Sequence, residues 1–243
     1  MRIYAIGDIH GQRALLEEQI ARIDADGGAE ARLVFLGDLV DRGPDSQGVI
    51  QLILDGMAAG RRWRCVRGNH DQMFLDFRRD GTVVNPNVAS GLPWPHRRLG
   101  GLETLRSYGV DVDPARPNAA LQADLARAMP AAHRDFLTGL PLWIEEAGFL
   151  FVHAGLRPGV PLADQNPQDM MWIRDAFHRY SDPWPWLVVH GHTPVEMATH
   201  YGNRVNLDTG AGHGKALTTA VFEGGEAYAL TASGRRRLVP NPA

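Results

Sequence analysis

The chain has 243 residues, 44% hydrophobic and 22% charged, and 25 basic against 28 acidic side chains leave a net charge of −3. That composition supports a sizeable core, excludes a disordered or collagen-like chain, and gives no electrostatic case for nucleic acid or an anionic membrane as partner. A single cysteine, Cys65, excludes an internal disulfide and a cysteine-based zinc site, and no run of 18 apolar residues offers a membrane span. The basic residues are almost all Arg, with Lys215 as the one Lys, an imbalance that reads as codon bias rather than chemistry. Met1–Ile6 meets Asp8 before a secretory apolar region could form, so a reduced, cytoplasmic protein is expected.

In chain order, Arg2–Ile6 reads as a buried strand running into Gly7-Asp8-Ile9-His10-Gly11. Leu15, Leu16, Ile20 and Ile23 then recur at helical spacing before Gly27-Gly28. Leu33–Leu36 repeats the plan, leading into Gly37-Asp38-Leu39-Val40-Asp41-Arg42-Gly43-Pro44 and a helix over Ser46–Ala59. A third strand, Trp63–Val66, ends in Gly68-Asn69-His70-Asp71. Strand–loop–helix units with a period of about 30 residues predict a parallel sheet with right-handed crossovers. Residues 81–98, with Pro86, Pro93, Pro95 and Trp94, read as a surface loop or, given their length, as a substrate wall. Helices are predicted over Leu99–Tyr108, Asn118–Met129 and His133–Leu140. A hairpin of Trp143–Glu146 and Phe149–His153 follows, then a buried strand Leu187–His190 and short strands over Val205–Leu207, Leu217–Phe222 and Ala227–Leu230. Arg235-Arg236-Arg237 reads as a solvated C-terminus, and the lack of any linker predicts one domain over 1–243.

Each polar motif has an ordinary explanation when taken alone: a helix cap, a turn, or a hydrogen-bonded structural histidine. The conjunction is what carries information. Asp8, His10, Asp38, Asn69, His153 and His192 all fall where a predicted strand ends and a glycine-containing loop begins. In an open α/β sheet those carboxyl ends converge on one rim, where ligands bind. Oxygen and imidazole donors without thiolates suit divalent manganese, iron or zinc. Six such donors exceed the needs of one tetrahedral site, and a pair of ions sharing one carboxylate explains the surplus.

These residues resemble the calcineurin-like metallophosphoesterases, and within them the phosphoprotein phosphatase branch with its bacterial serine/threonine protein phosphatase-like members. The matching segments are GDIHG at 7–11, GDLVDRGP at 37–44, GNHD at 68–71, HAG at 153–155 and HGHTP at 190–194. The resemblance implies a four-layer α/β sandwich in which two mixed β-sheets are flanked by helices. It also implies two divalent metal ions, manganese first, with iron or zinc as alternatives. Asp8 and His10 would hold one ion, Asp38 would bridge both, and Asn69, His153 and His192 would hold the other. Asp41 with His70 resembles the family's acid pair, with His70 as proton donor. Arg42 and Asn69 would face the phosphate, joined by Arg174 on the strength of Met171-Trp172-Ile173-Arg174.

Two departures locate the branch. Pro194 stands where many other metallophosphoesterases place a further histidine, and Asp71 stands where eukaryotic protein phosphatases carry Glu. The activity implied is hydrolysis of phosphate monoesters by direct attack of water bridging the ions, with phosphoserine and phosphothreonine proteins as first substrates. A dinucleoside polyphosphate hydrolase of the diadenosine tetraphosphate type is the first rival. A catalytically inactive protein-binding scaffold is the second, disfavoured because no expected ligand is lost. His213, in Gly212-His213-Gly214, receives no role, and the motifs carry no signal of oligomeric state.

Overall fold

The central strands lack a polar face because both of their faces are covered. In the computed structural model, which describes residues 1–241, β1 (Arg2–Ile6) turns Ile3 and Ala5 into one buried cluster and Tyr4 and Ile6 into another. The chain continues through α1 (Arg13–Gly27), β2 (Arg32–Phe35), α2 (Ser46–Ala58), β3 (Trp63–Cys65) and α3 (Asn69–Asp80). Then come α4 (Gly101–Ser107), α5 (Asn118–Ala128), α6 (Ala131–Gly139), β4 (Trp143–Glu146), β5 (Phe149–Val152), α7 (Pro167–Trp172) and α8 (Asp175–His178). The last elements are β6 (Leu187–His190), β7 (Thr199–His200), β8 (Arg204–Asn206), β9 (Thr219–Glu223), β10 (Glu226–Thr231) and β11 (Gly234–Arg237).

Within the described residues the strands form two mixed sheets, ordered β11-β10-β9-β1-β2-β3 and β4-β5-β6-β8-β7. β1, β2 and β3 are parallel, as are β5, β6 and β8, while β9, β10, β11, β4 and β7 add antiparallel margins. Ile3, Ala5, Val34, Phe149, Phe151, Val189 and Phe222 meet between the sheets. The opposite face of the first sheet, with Tyr4, Leu33, Phe35 and Val221, packs on Leu16, Ile53, Phe74, Leu105, Leu125 and Leu137 of the first six helices. The opposite face of the second, with Leu150, Val152 and Val188, packs on Met170 and Phe177 of α7 and α8. The result is a four-layer α/β sandwich. Strands buried on both faces carry apolar residues without alternation, which is how these runs read in the sequence.

Sequence boundaries and observed boundaries differ by one or two residues. α7 and α8, at six and four residues, are too short to leave a helical period and were not foreseen. No helix among the described residues is long and apolar enough to cross a membrane.

The arginine-rich tail corrects the sequence reading. Gly234–Arg237 is not a loose end but an edge strand, antiparallel to β10, in which Arg236 and Arg237 stay exposed and Arg235 is half-buried. Arg235 reaches across the sheet, donating to Asp26 at 2.6 and 2.9 Å and to Glu223 at 2.9 Å. Tyr4 donates its hydroxyl to the same Asp26 carboxylate at 2.6 Å, and Arg2 pairs with Glu223 at 3.1 Å. The hydrogen bonds from Arg235, then those from Tyr4, hold the Asp26 pKa below the ordinary carboxylate value against the opposing effect of burial. A carboxyl with a lowered folded pKa stabilises above its unfolded value and loses that contribution as pH falls through the folded one. Asp26→Asn is therefore expected to cost about 1–2 kcal/mol at pH 7, and the gap from the parent should narrow as pH falls below about 4. Urea midpoints of both proteins across that range check it; identical midpoints at pH 7 would leave the tail without a structural role.

Candidate metal centre and phosphate cleft

The carboxyl ends of β1, β2, β3, β5 and β6 give way to the loops that start at Gly7, Gly37, Gly68, His153 and Gly191. These loops are strained. His10, Asp38, Asp41, Arg42 and His192 have φ of 49°, 49°, 74°, 67° and 68°, and among the described residues only Ala147 joins them as a non-glycine with positive φ. Each such residue costs roughly 1–3 kcal/mol, so five in one place mark a region whose shape the surrounding fold imposes. Two glycines make the approach possible. A Cβ on Gly191 would lie 1.9 Å from Asp8 Oδ1, and one on Gly68 would lie 2.2 Å from Asp38 Oδ1.

The six sequence-predicted donors come together, all buried. Asp8 accepts from the His192 backbone N–H at 3.1 Å, and Asp38 accepts from the His70 backbone N–H at 2.9 Å. His153 Nε2 lies 3.4 Å from Asp38 Oδ1 and 2.9 Å from Asn69 Oδ1, while His10 Nε2 lies 3.5 Å from Asp38 Oδ2. His192 Nδ1 donates to Asn69 Oδ1 at 2.9 Å. Ligand atoms of Asp8, Asp38 and His153 lie within 4.8 Å of one another, as do those of His10, Asp38 and His70, so Asp38 is common to both groups.

The polarity of this cluster fits cations. His153 Nδ1 must donate to the Leu36 carbonyl, 2.8 Å away, so the neutral ring points a bare Nε2 lone pair at the oxygens of Asn69 and Asp38. Burial lowers the His153 pKa to about 4, which removes the imidazolium as a way out. His192 Nε2 is buried with no partner at all. Burial, with Asp208 and Asp38 nearby, pushes the Asp8 carboxyl well above its usual range, and burial raises Asp38 and Asp208 as well. Lone pairs and carboxylates facing one another in a dry site are what a divalent ion would satisfy.

Asp41 and His70 pair beside this cluster. His70 Nδ1 donates to Asp41 Oδ2 at 2.7 Å, and the carboxylate also accepts from Trp94 Nε1 at 2.8 Å and Thr104 Oγ1 at 2.7 Å. Burial opposes charge on both members, raising Asp41 and lowering His70. Arg42 spans two imidazoles, donating to His10 Nε2 at 2.7 Å and to His70 Nε2 at 3.1 Å. A cleft of about 270 Å³ opens above, lined by Arg42, Asn69, His70, Trp172 and Arg174. Arg174 sits exposed at its rim, where Nη1 donates to Thr193 Oγ1 at 3.0 Å. Asn87, Val88, Ala89 and Ser90 form the facing wall, so the 81–98 segment borders the cleft while Trp94 pins it to Asp41. Trp94, Thr104 and Asp208 are absent from the sequence-derived site; a tryptophan between prolines was the one available hint. His213 is exposed, and the close approach in this loop belongs to Gly212, whose Cβ would strike His10 and Arg42.

The model of the calcineurin-like phosphoesterases matches residues 1–217. The chain belongs to that family. Among curated phosphoesterase relatives, the asymmetrical bis(5'-nucleosyl)-tetraphosphatase PrpE of Geobacillus thermodenitrificans is 28% identical over 90% of this chain and 89% of its own. The symmetrical bis(5'-nucleosyl)-tetraphosphatase of Bordetella pertussis is 33% identical over 87% of this chain and 68% of its own. A solved structure provisionally assigned as a diadenosine tetraphosphatase superposes with a TM-score of 0.63 at 25% identity, covering 94% of this chain and 92% of that one. Calcineurin-like phosphoesterases use a pair of divalent ions, and this cluster of buried donors, with Asp38 at its centre, is the candidate place for them here.

The shared carboxylate gives a test. Asp38→Asn is expected to weaken both ion sites at once, because each would lose the same anionic ligand. Calorimetric titration with Mn²⁺ should show two binding events in the parent and none of comparable affinity in the variant. Two undiminished events in Asp38→Asn would remove it from the ligand set.

Proposed function

We propose that this chain is a dinucleoside polyphosphate hydrolase of the bis(5'-nucleosyl) tetraphosphate class, working with two divalent ions. The observation that carries the substrate class is the match to PrpE of Geobacillus thermodenitrificans along nine-tenths of both chains, which leaves little of either outside the shared body. This reverses the order suggested by the motifs alone, in which phosphoproteins come first and dinucleoside polyphosphates second. The intact Asp41-Arg42-Gly43 is the feature that still speaks for a phosphoprotein substrate.

In this reading Asp8 and His10 hold one ion, Asp38 both, and Asn69, His153 and His192 the other. When bound, the ions would lower the pKa of water between them and neutralise phosphoryl charge. The chain's own residues do the rest. Arg42 and Arg174 offer planar forks to the phosphoryl oxygens from two sides of the cleft. Asn69, with Oδ1 turned to the histidines, keeps its amide N–H groups for the same task. His70 is fixed through Nδ1 by Asp41, leaving Nε2 to carry a proton toward the leaving oxygen. Arg42 now occupies that nitrogen, so its movement onto phosphate would free His70 for proton transfer. Trp94 and Thr104 keep Asp41 aligned.

The leaving group separates the two substrate classes. A nucleoside phosphate departs as a weak base, whereas a serine alkoxide needs a proton badly. With Mn²⁺ present, the parent should turn over diadenosine tetraphosphate with kcat/KM at least tenfold above that for a phosphoserine peptide. His70→Asn should slow the peptide by about 10²–10⁴-fold and the dinucleotide much less. A peptide turned over faster than the dinucleotide would overturn the proposed substrate class, and equal losses on both would remove His70 as the proton donor.

A further inference from the structure

A second cavity exceeds the cleft over the candidate metal centre in volume. About 990 Å³ opens on the outer side of the second sheet, between α8, the 180–186 segment, β6 and the β7–β8 turn. Four aromatic side chains, Tyr180, Trp184, Trp186 and Tyr201, stand in its wall. Beside them lies Arg204, 4% exposed, with its guanidinium 4.2 Å from the centre of the Tyr201 ring. Arg204 donates to Asn203 Oδ1 at 3.2 Å and to the His178 carbonyl at 2.8 Å, but no carboxylate among the described residues pairs with it. A buried guanidinium without a counter-charge is expensive unless something else satisfies it.

Behind this wall, shielded from solvent, lie nitrogens of both hydrogen-bonding signs without partners. Arg204 Nε–H and Trp184 Nε1–H are unused donors. His190 is fully buried, and its Nδ1 lies 3.1 Å from the Gly191 carbonyl, to which it can only donate; its unpartnered Nε2 is then an acceptor. Flat aromatic walls backed by a guanidinium suit the stacking of a heteroaromatic base. A phosphate group alone would leave the aromatic walls unused.

The cavity adjoins the cleft. Thr193 and Asp175 line the cavity, Arg174 lines the cleft, and the Arg174 guanidinium donates to the Thr193 hydroxyl at 3.0 Å. One side chain thus stands between the two spaces, on a phosphate-facing arginine. We propose that the cavity is a nucleoside subsite that takes one purine base of the substrate whose phosphates occupy the cleft. This rests on the dinucleoside polyphosphate reading and adds where a base is held and by which residues.

The test uses adenosine, which has no phosphate and needs no turnover. Quenching of tryptophan fluorescence should saturate with adenosine in the parent protein. Tyr201→Ala and Trp184→Leu, each checked for a native circular dichroism spectrum, should weaken that binding at least tenfold. The same variants should raise KM for diadenosine tetraphosphate by about tenfold or more while p-nitrophenyl phosphate, which has no base, is hydrolysed at the parental rate. No adenosine binding in the parent, or undiminished binding in whichever variant folds, would overturn the proposal. Adenosine binding lost with KM for the dinucleotide unchanged would also overturn it, making the cavity a separate effector site. Adenosine binding that depends on Tyr201 in a protein that does not hydrolyse the dinucleotide would support the base site and strike the function reading instead.

Discussion

The constraint on which the rest depends is electrostatic: lone pairs and carboxylates are packed face to face where water cannot separate them. His153 Nε2, Asn69 Oδ1 and Asp38 Oδ1 converge within hydrogen-bonding range without hydrogens enough to go round. Asp8 and Asp38 add like charges to the same dry volume. No gain in local stability would select that arrangement; burying unpaired polar groups costs free energy, and so do five backbone residues at positive φ. The two costs fall on the same loops. Their coincidence is intelligible if the site is complete only with cations in it, so that the fold holds ready a geometry that binding then stabilises.

The sandwich makes this affordable. Both sheets are covered on both faces, and their interface is built from phenylalanine and branched aliphatic side chains. The parallel strands of each sheet deliver loops to one rim, and the two sheets contribute different halves of the donor set. Asp8, His10, Asp38 and Asn69 follow strands of the first, His153 and His192 strands of the second. The inter-sheet core therefore sets the distance between the halves. Gly191, after a strand of the second sheet, leaves no room for a Cβ beside Asp8 of the first.

What the sequence disclosed follows from the same physics. A ligand at a strand end must sit next to glycine, because the backbone has to turn sharply or approach closely there, so Asp8, Asp38, Asn69 and His192 announce themselves through their neighbours. The doubly buried strands were legible for a similar reason, since an uninterrupted apolar run has few alternatives. Trp94 and Thr104 carry no such mark. They reach Asp41 from 53 and 63 residues away, and a hydrogen bond of that span leaves no local pattern. The arginine tail misled because three adjacent charges normally stay in water, whereas here the pairing edge of β10 and the carboxylates of Asp26 and Glu223 lie in wait outside any local window. α7 and α8 escaped because six and four residues are too few for a helical period to recur.

Arg42 joins these threads. Its guanidinium bonds to His10 Nε2 and His70 Nε2 together, one a candidate ion ligand and the other the candidate proton donor. A nitrogen has one lone pair in the ring plane, so His10 cannot serve Arg42 and an ion at the same time. His70 likewise cannot accept from Arg42 and offer its own Nε2 proton in the same direction. The phosphate cleft is the space beside this arginine. The backbone at Arg42 has φ of 67°, held by a hydrogen bond from its N–H to the Gly100 carbonyl at 3.3 Å. Reaching both histidines from one side of that cleft takes a long, permanently charged fork and not a shorter anchor.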